Sequence, residues 1–420
     1  MSTSRELSAP PNGGRASRIG GRGGRGLGLA FVLVSIATVA VGGGQIVAAA
    51  TVDPANALQP AVDVPAGGAN VLASSIAVAP RTSATATSST ATPTLAQLIG
   101  QKLIVRMDGI TPSADLLGRI RRGEVGGVIL FGQNITTPAA LTALTATLRG
   151  AAAAGGQPRL LIAVDQEGGS VKRIPWAPPT LSPPRMGQIG LTSVARTQGL
   201  DTGVALRALG INVDLAPVAD VPASTSSFMY RQGRTWSFSA WRTAALSDAF
   251  ASGLESGLVK PAMKHFPGIG FATLNTDAYV VTIRASQAAL SPGLLPYRAA
   301  IAHHIPLIML SNATYLAYDR SNAAGWSYAI ATTLLRRDLG FTGATITDSL
   351  DGIAAAKGAT TRSLAIRAAR AGTDFILVTG WEASTRIDYA ALLQNAQAGG
   401  ISLATLRASY ARILALKAHL

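Results

Sequence analysis

Three short strings carry most of the chemistry this sequence could perform: Asp165-Gln166-Glu167-Gly168-Gly169, Lys264-His265-Phe266-Pro267-Gly268 and Thr347-Asp348-Ser349. Each follows a short apolar run. A carboxylate such as Asp348 can attack the anomeric carbon of a sugar and form a covalent glycosyl intermediate; the same residue could simply cap the helix that follows. Asp165 and Glu167 flank an amide and precede two glycines, which puts acceptors for sugar hydroxyls on a turn that a ligand could approach closely. Arg173 stands eight residues on and could close over that ligand; a helix cap with a surface salt bridge is the plainer account. Lys264 and His265 leave an apolar run together, and the Pro and Gly that follow force an irregular loop, so both are read as binding residues. Arg234 offers forked donors for hydroxyl or carbonyl oxygens, and Trp236 an apolar wall for a sugar; loop packing would explain either. His303 and His304 follow a helix without such company and read as structural. No two histidines stand at ligand spacing on a pocket-facing element, so a metal is not expected, and no cofactor is implied.

These residues need a scaffold that brings distant strings together. Eight short apolar segments fall at Leu103–Val105, Gly127–Leu130, Leu160–Val164, Val213–Leu215, Pro261–Met263, Leu307–Leu310, Thr345–Thr347 and Phe375–Val378. They are rich in β-branched residues, as strands covered on both faces are. Helical periodicity lies between most of them, at Leu141–Ala153, Val194–Leu209, Ala244–Gly257, Pro296–His303, Ala329–Asp338 and Thr361–Ala371. Alternating strands and helices predict a parallel α/β sheet. Eight alternations in a stretch of this length predict a (β/α)8 TIM-type barrel, whose active site is built at the C-terminal strand ends. An open doubly wound sheet is the alternative.

Composition divides the 420 residues into four segments: a basic region 1–26, an uncharged apolar region 27–50, an Ala/Thr/Ser/Pro spacer 51–93 and a folded domain 94–420. Arginines 5, 15, 18, 22 and 25, then an apolar core and Ala48-x-Ala50, describe a signal peptide. The uncharged run is also long enough for one membrane anchor, since about 20 apolar residues span a bilayer. Either reading exports the domain, secreted or held on the outer face of the cytoplasmic membrane. The spacer reads as a disordered linker. There is no cysteine, which excludes disulfides, thiolate catalysis and cysteine-based zinc sites. A net charge of +15 suits contact with anionic envelope polymers. With 5% aromatic residues and no recognition motif, nucleic acid is not an expected partner.

From about Leu95 to Leu420 the chain resembles glycoside hydrolase family 3, in particular the bacterial β-N-acetylglucosaminidases that consist of the barrel alone. The resemblance rests on Asp165-Gln-Glu-Gly-Gly with Val171 and Arg173, on Gly210-Ile-Asn-Val-Asp-Leu-Ala-Pro-Val-Ala-Asp220 with Arg234 in the loop behind it, on Lys264-His265-Phe266-Pro267-Gly268, and on Leu335-Arg-Arg-Asp-Leu-Gly-Phe-Thr-Gly343 leading to Thr347-Asp348. It implies a retaining, exo-acting hydrolase that removes terminal β-linked N-acetylglucosamine, with cell-wall fragments as fitting substrates. By the same match Asp348 is the nucleophile, and Asp165, Arg173, Arg234, Lys264 and His265 contact the terminal sugar.

The resemblance breaks at the proton donor. That branch carries an Asp-x-His dyad on the loop after the fifth strand; here the place reads Asn275-Thr276-Asp277, and Ile269 stands where the family string usually has His. Three readings follow. Asp277 is itself the acid/base, its pKa raised by burial or by Asp348; or another group such as Glu167 serves; or the acid is absent and the protein turns over slowly or only binds sugar. A β-glucosidase on the same barrel is a further alternative. Asn275-Thr276-Asp277 also reads as a turn with an Asx hydrogen bond.

Overall fold

The computed structural model describes residues 92–420, which belong to one compact unit. The expectations for 1–26, 27–50 and nearly all of 51–93 lie outside the described residues. Among the described residues no helix is long and apolar enough to cross a membrane.

Eight parallel strands form the centre: β1 Leu103–Arg106, β2 Gly127–Ile129, β3 Leu161–Val164, β4 Val213–Asp214, β5 Lys260–Phe266, β6 Leu307–Leu310, β7 Ala344–Thr347 and β8 Ile376–Val378. Their order in the sheet follows the chain from β1 to β7, with β8 beside β1. The ring then closes. Ile346 bridges Phe375 in parallel, Thr347 N–H donates to Phe375 O at 3.0 Å and Phe375 N–H donates to Thr345 O at 2.8 Å. That closure excludes the open doubly wound alternative and leaves a (β/α)8 barrel.

The helices start where the chain offers caps. Ser113, Thr137, Ser239, Thr360 and Ser402 each accept a hydrogen bond from the third helical backbone N–H. The expected helices are found as Pro138–Ala154, Thr192–Ala208, Ala240–Ser256, Leu295–Ala302, the π-helical Ala329–Asp338 and Thr361–Arg370. Their apolar stripes pack on the outer faces of the strands. A third cluster fills the barrel interior, with Ile104, Leu161, Ala163, Val213, Ala262, Leu307, Ala344, Ile346 and Phe375 among its members. Ile413, Leu416 and Leu420, on and just beyond the last helix Leu403–Lys417, join that inner cluster. Since the barrel interior is packed, any ligand site must sit above it.

Candidate active site

Period-two alternation carries the inner face of several strands straight into the barrel mouth. Leu161 and Ala163 are interior residues, so Asp165 is next on their face. Ala344 and Ile346 lead to Asp348 in the same way, and Ala262 leads to Lys264. Asp165, Lys264 and Asp348 thus line one cleft with Glu167, Arg173, Arg234, His265 and Asp277. Its floor is Ile129, Leu215, Met309 and Leu377, contributed by β2, β4, β6 and β8 or the residue just past the strand. Four side chains from alternate strands are the expected uppermost layer of such a barrel. About 570 Å³ of open space lies above them.

One wall is a lattice of paired charges. Lys264 Nζ lies 2.8 Å from Asp165 Oδ1 and 2.7 Å from Glu167 Oε1. Arg234 grips Glu167 with two donors, at 2.8 and 2.7 Å, and Arg173 lies 3.5 Å from Asp165. Burial would raise both carboxyls, but the cations outweigh it: Asp165 is held below its usual value and Glu167 is pulled down to about 2. Burial would likewise lower Lys264, yet the two carboxylates raise it. Every charge here is therefore fixed. A carboxylate held ionised in this way is a poor proton donor, which weighs against Glu167 as the group that replaces the missing dyad. Gly168 and Gly169 make the turn that returns the chain from Glu167 to Val171; both have positive φ, +92° and +63°, where other residues are strained.

Lys264 and His265 do not leave the sheet, as the sequence suggested. They lie within β5, which runs on to Phe266. Its pairing to β6 shifts register between Met263 and Phe266, and an extra residue of this kind re-aims side chains. Hence two consecutive residues both reach the cleft. Asp220 Oδ2 sits 2.8 Å from His265 Nδ1, and its Oδ1 accepts from Ile269 N–H at 2.7 Å. A carboxylate there makes Nδ1 the donor, so Nε2 faces Asp348 Oδ2 at 3.9 Å.

The opposite wall is poor in cations. Asp348 does not cap the following helix: the cap position is Ser349, and Asp348 Oδ1 accepts from Ser349 N–H at 2.9 Å. Asp348 N–H donates to Leu310 O at 2.9 Å, which extends the β6–β7 ladder and aims the side chain inward. Asp277 enters from the long loop after β5. Asn275 Oδ1 accepts from Asp277 N–H at 3.0 Å, the expected Asx turn. Asn275 thus touches the backbone of Asp277 and not its carboxyl, and it does not line the cleft. Burial first, and then the nearby Asp348, push the Asp277 carboxyl up to about 7, against weaker opposition from His265 and Asn312.

Several residues escaped the sequence reading. Asp220 orients His265, and Asn312 donates to Asp277 Oδ1 at 3.1 Å. Asp214, buried beneath the charge lattice, is pushed up to about 8 chiefly by burial. A signal for Asp214 and Asp220 was present, since Asp214 interrupts the largely apolar run 211–219 at the end of β4 and Asp220 closes it; nothing in the sequence marks Asn312. Of the two readings of Trp236, packing is the one found: it is 4% exposed, donates through Nε1 to Val218 O at 2.7 Å and packs edge-on against Phe250. His303 ends the helix Leu295–Ala302 in an exposed ion pair with Asp248, away from the cleft. Among the described residues no group of three or more His, Asp or Glu side chains is placed to hold a metal.

Residues 94–416 match the model of the glycosyl hydrolase family 3 N-terminal domain. The chain belongs to glycoside hydrolase family 3. It is 32% identical over 333 residues to an uncharacterised secreted glycosyl hydrolase from Arthroderma benhamiae, covering 78% of this chain and 94% of that protein. A β-hexosaminidase from Nitrosomonas eutropha is 34% identical over 269 residues, 60% of this chain and 73% of that one. Among solved structures, β-N-acetylhexosaminidase from Beutenbergia cavernae superposes with a TM-score of 0.72 at 30% identity, covering 78% of this chain and 99% of its own. Membership of this family makes the chain an O-glycosyl hydrolase.

Proposed function

We propose that this family 3 hydrolase removes terminal β-linked N-acetylglucosamine from glycans by a retaining double displacement. The observation that carries the reading is the pairing of two unlike carboxyls in one cleft: Asp277 is raised to about 7 beside Asp348, facing a wall whose carboxylates are all neutralised. In the first step Asp348 attacks the anomeric carbon as the glycosidic bond breaks, and Asp277 gives its proton to the departing oxygen. In the second, Asp277 takes a proton from water, the water oxygen attacks the same carbon, and Asp348 leaves as carboxylate. Asp165, Arg173, Arg234, Lys264 and His265 hold the terminal sugar, with Glu167 fixing the two central cations. No metal or cofactor enters either step. The acetamido specificity is supported by relatives that bear the name β-hexosaminidase.

Export is supported by the basic and apolar segments 1–50 and by the relative described as secreted. Cell-wall glycan fragments are the substrates that suit that location. Anchoring through 27–50 and contact with anionic polymers rest on composition alone.

The test is hydrolysis of chromogenic β-N-acetylglucosaminide and β-glucoside by the wild type and by Asp348→Asn. The first substrate should be cleaved with retention, and the variant should lose on the order of 10⁴-fold or more, as nucleophile removal does elsewhere. A wild type that binds N-acetylglucosamine but cleaves neither substrate would make the protein a sugar-binding barrel instead.

A further inference from the structure

The segment from Pro267 to Val280 carries Asp277 and contains no regular element. Beside the Asp277 carboxyl it is seated on two features of the barrel. The first is Asn312, two residues beyond β6 and 2% exposed. Its Nδ2 donates to Asp277 Oδ1 at 3.1 Å and to Ser349 O at 2.8 Å. The carbonyl can only accept, so the amide cannot be turned over: Oδ1 would then face another oxygen. Asn312 Oδ1 is itself buried and has no partner among the described residues. An orphaned buried acceptor is unfavourable and asks for an explanation; here it is the two bonds made by the other end of the amide. The second feature is Gly352, in the helix Leu350–Ala356 that begins directly behind Asp348 and Ser349. A Cβ at that position would overlap Asp277 O, so the loop backbone lies directly on the nucleophile's own helix.

We infer that Asn312 is a positioning residue for the acid/base, clamping Asp277 to Ser349 and so fixing the spacing between Asp277 and Asp348. This rests on the reading of Asp277 as acid/base. Spacing matters because a retaining hydrolase needs its two carboxyls about 5–5.5 Å apart. The clamp has a second consequence. Asp277 must release a proton in one step and accept one in the next. Burial and Asp348 favour the protonated form, while a donor to the carboxylate favours the ionised one. Asn312 therefore keeps Asp277 poised between its two duties.

Full-length Asn312→Ala and Asn312→Asp test this through kcat and KM for the chromogenic β-N-acetylglucosaminide across pH, with sugar binding and thermal melting measured alongside. Asn312→Ala should lose roughly 10–100-fold in kcat, as small misplacements of catalytic groups do, with KM changed by less than about threefold. Its alkaline limb should move upward, because a donor to the carboxylate is gone. Asn312→Asp keeps the side chain's size, adds a negative charge, and should move the limb further up. A kcat loss of equal size at every pH, with the limb unmoved in Asn312→Asp, would mean a merely structural residue and overturn the inference. If Asn312→Ala does not fold, the isosteric Asn312→Asp decides alone. In an Asp277→Ala background Asn312→Ala should cost nothing more in kcat. If Asp277→Ala by itself turned over normally, the acid/base reading and this inference would both fall; if Asp277→Ala is slow but the Asn312 variants keep the wild-type limb, only the inference does.

Discussion

The two walls of the cleft handle charge in opposite ways. Around Asp165 and Glu167 every carboxylate has a cation within 3.5 Å, and Lys264 is shared between them. Across the floor, Asp277 and Asp348 stand near each other with no lysine or arginine in contact with either among the described residues; His265 Nε2, 3.9 Å from Asp348, is the nearest basic group recorded. Paired charges have pKa values far from neutrality and do not change state during a reaction. A carboxyl that has no paired cation and is buried beside a second carboxyl is pushed towards neutrality, so it can change state during a reaction. The first wall suits holding a ligand; the second suits moving a proton. The two walls are also built differently. The wall around Asp165 and Glu167 rests on strand ends and on the antiparallel pair Gln166–Gly168 with Val171–Lys172, whereas Asp277 arrives on a loop located by Asn275, Asn312 and Gly352.

The sharpest way to break this contrast is Asp277→Ala. It should lower turnover by about 10²–10⁴-fold, the usual cost of losing a general acid. Added azide should recover part of the rate by replacing water in the second step; unchanged kinetics would erase the division between the walls. Arg234→Ala attacks the other side. It leaves Glu167 buried with one cation fewer and should cost on the order of 30–1000-fold in kcat/KM, in line with about 2–4 kcal/mol for cutting a buried charge pair. The pH optimum should move only slightly and upward, since Arg234 touches neither Asp277 nor Asp348 and is the weakest of the groups that lower Asp277. An optimum displaced by more than about one unit would show that the walls are coupled and not separate devices.

The gentlest test is the wild-type pH profile. The Asp277 carboxyl is raised in the folded protein from 3.8 to about 7. Its acid form is thus present below about 7 and lost above it, so kcat/KM should fall on the alkaline side, by about tenfold per pH unit once past the limb. For stability the direction agrees. A carboxyl whose folded pKa lies above its unfolded one contributes fully below the unfolded value, and that contribution is lost as pH rises through about 7. A limb near pH 4 to 5 would indicate an ordinary exposed carboxyl and remove the physical basis for Asp277 as acid.

Much of the binding wall was legible because strand alternation is a local rule. Once Leu161 and Ala163 are placed inside, Asp165 must follow them; on the opposite wall Ala344, Ile346 and Asp348 repeat the pattern. His265 was harder: its direction depends on a register shift against β6, and pairing between strands more than forty residues apart leaves no local trace. Trp236 misled because an aromatic beside a candidate arginine looks the same in sequence whether it faces a sugar or, as here, Phe250 and Val218 O.

The sequence by itself determined the alternation of strands and helices, the strand-end placement of Asp165 and Asp348, and the absence of thiol chemistry. These follow from side-chain periodicity and residue type, which need only near neighbours. Tertiary structure alone decided that the ring closes between Ile346 and Phe375, that Glu167 is held ionised by Arg234 and Lys264, and that Asp277 is lifted towards neutrality by burial and by Asp348. Each of those depends on distances between groups far apart in the chain: burial and Asp348 raise Asp277 while Asn312 opposes them, and proton affinity is set by what surrounds a carboxyl in space.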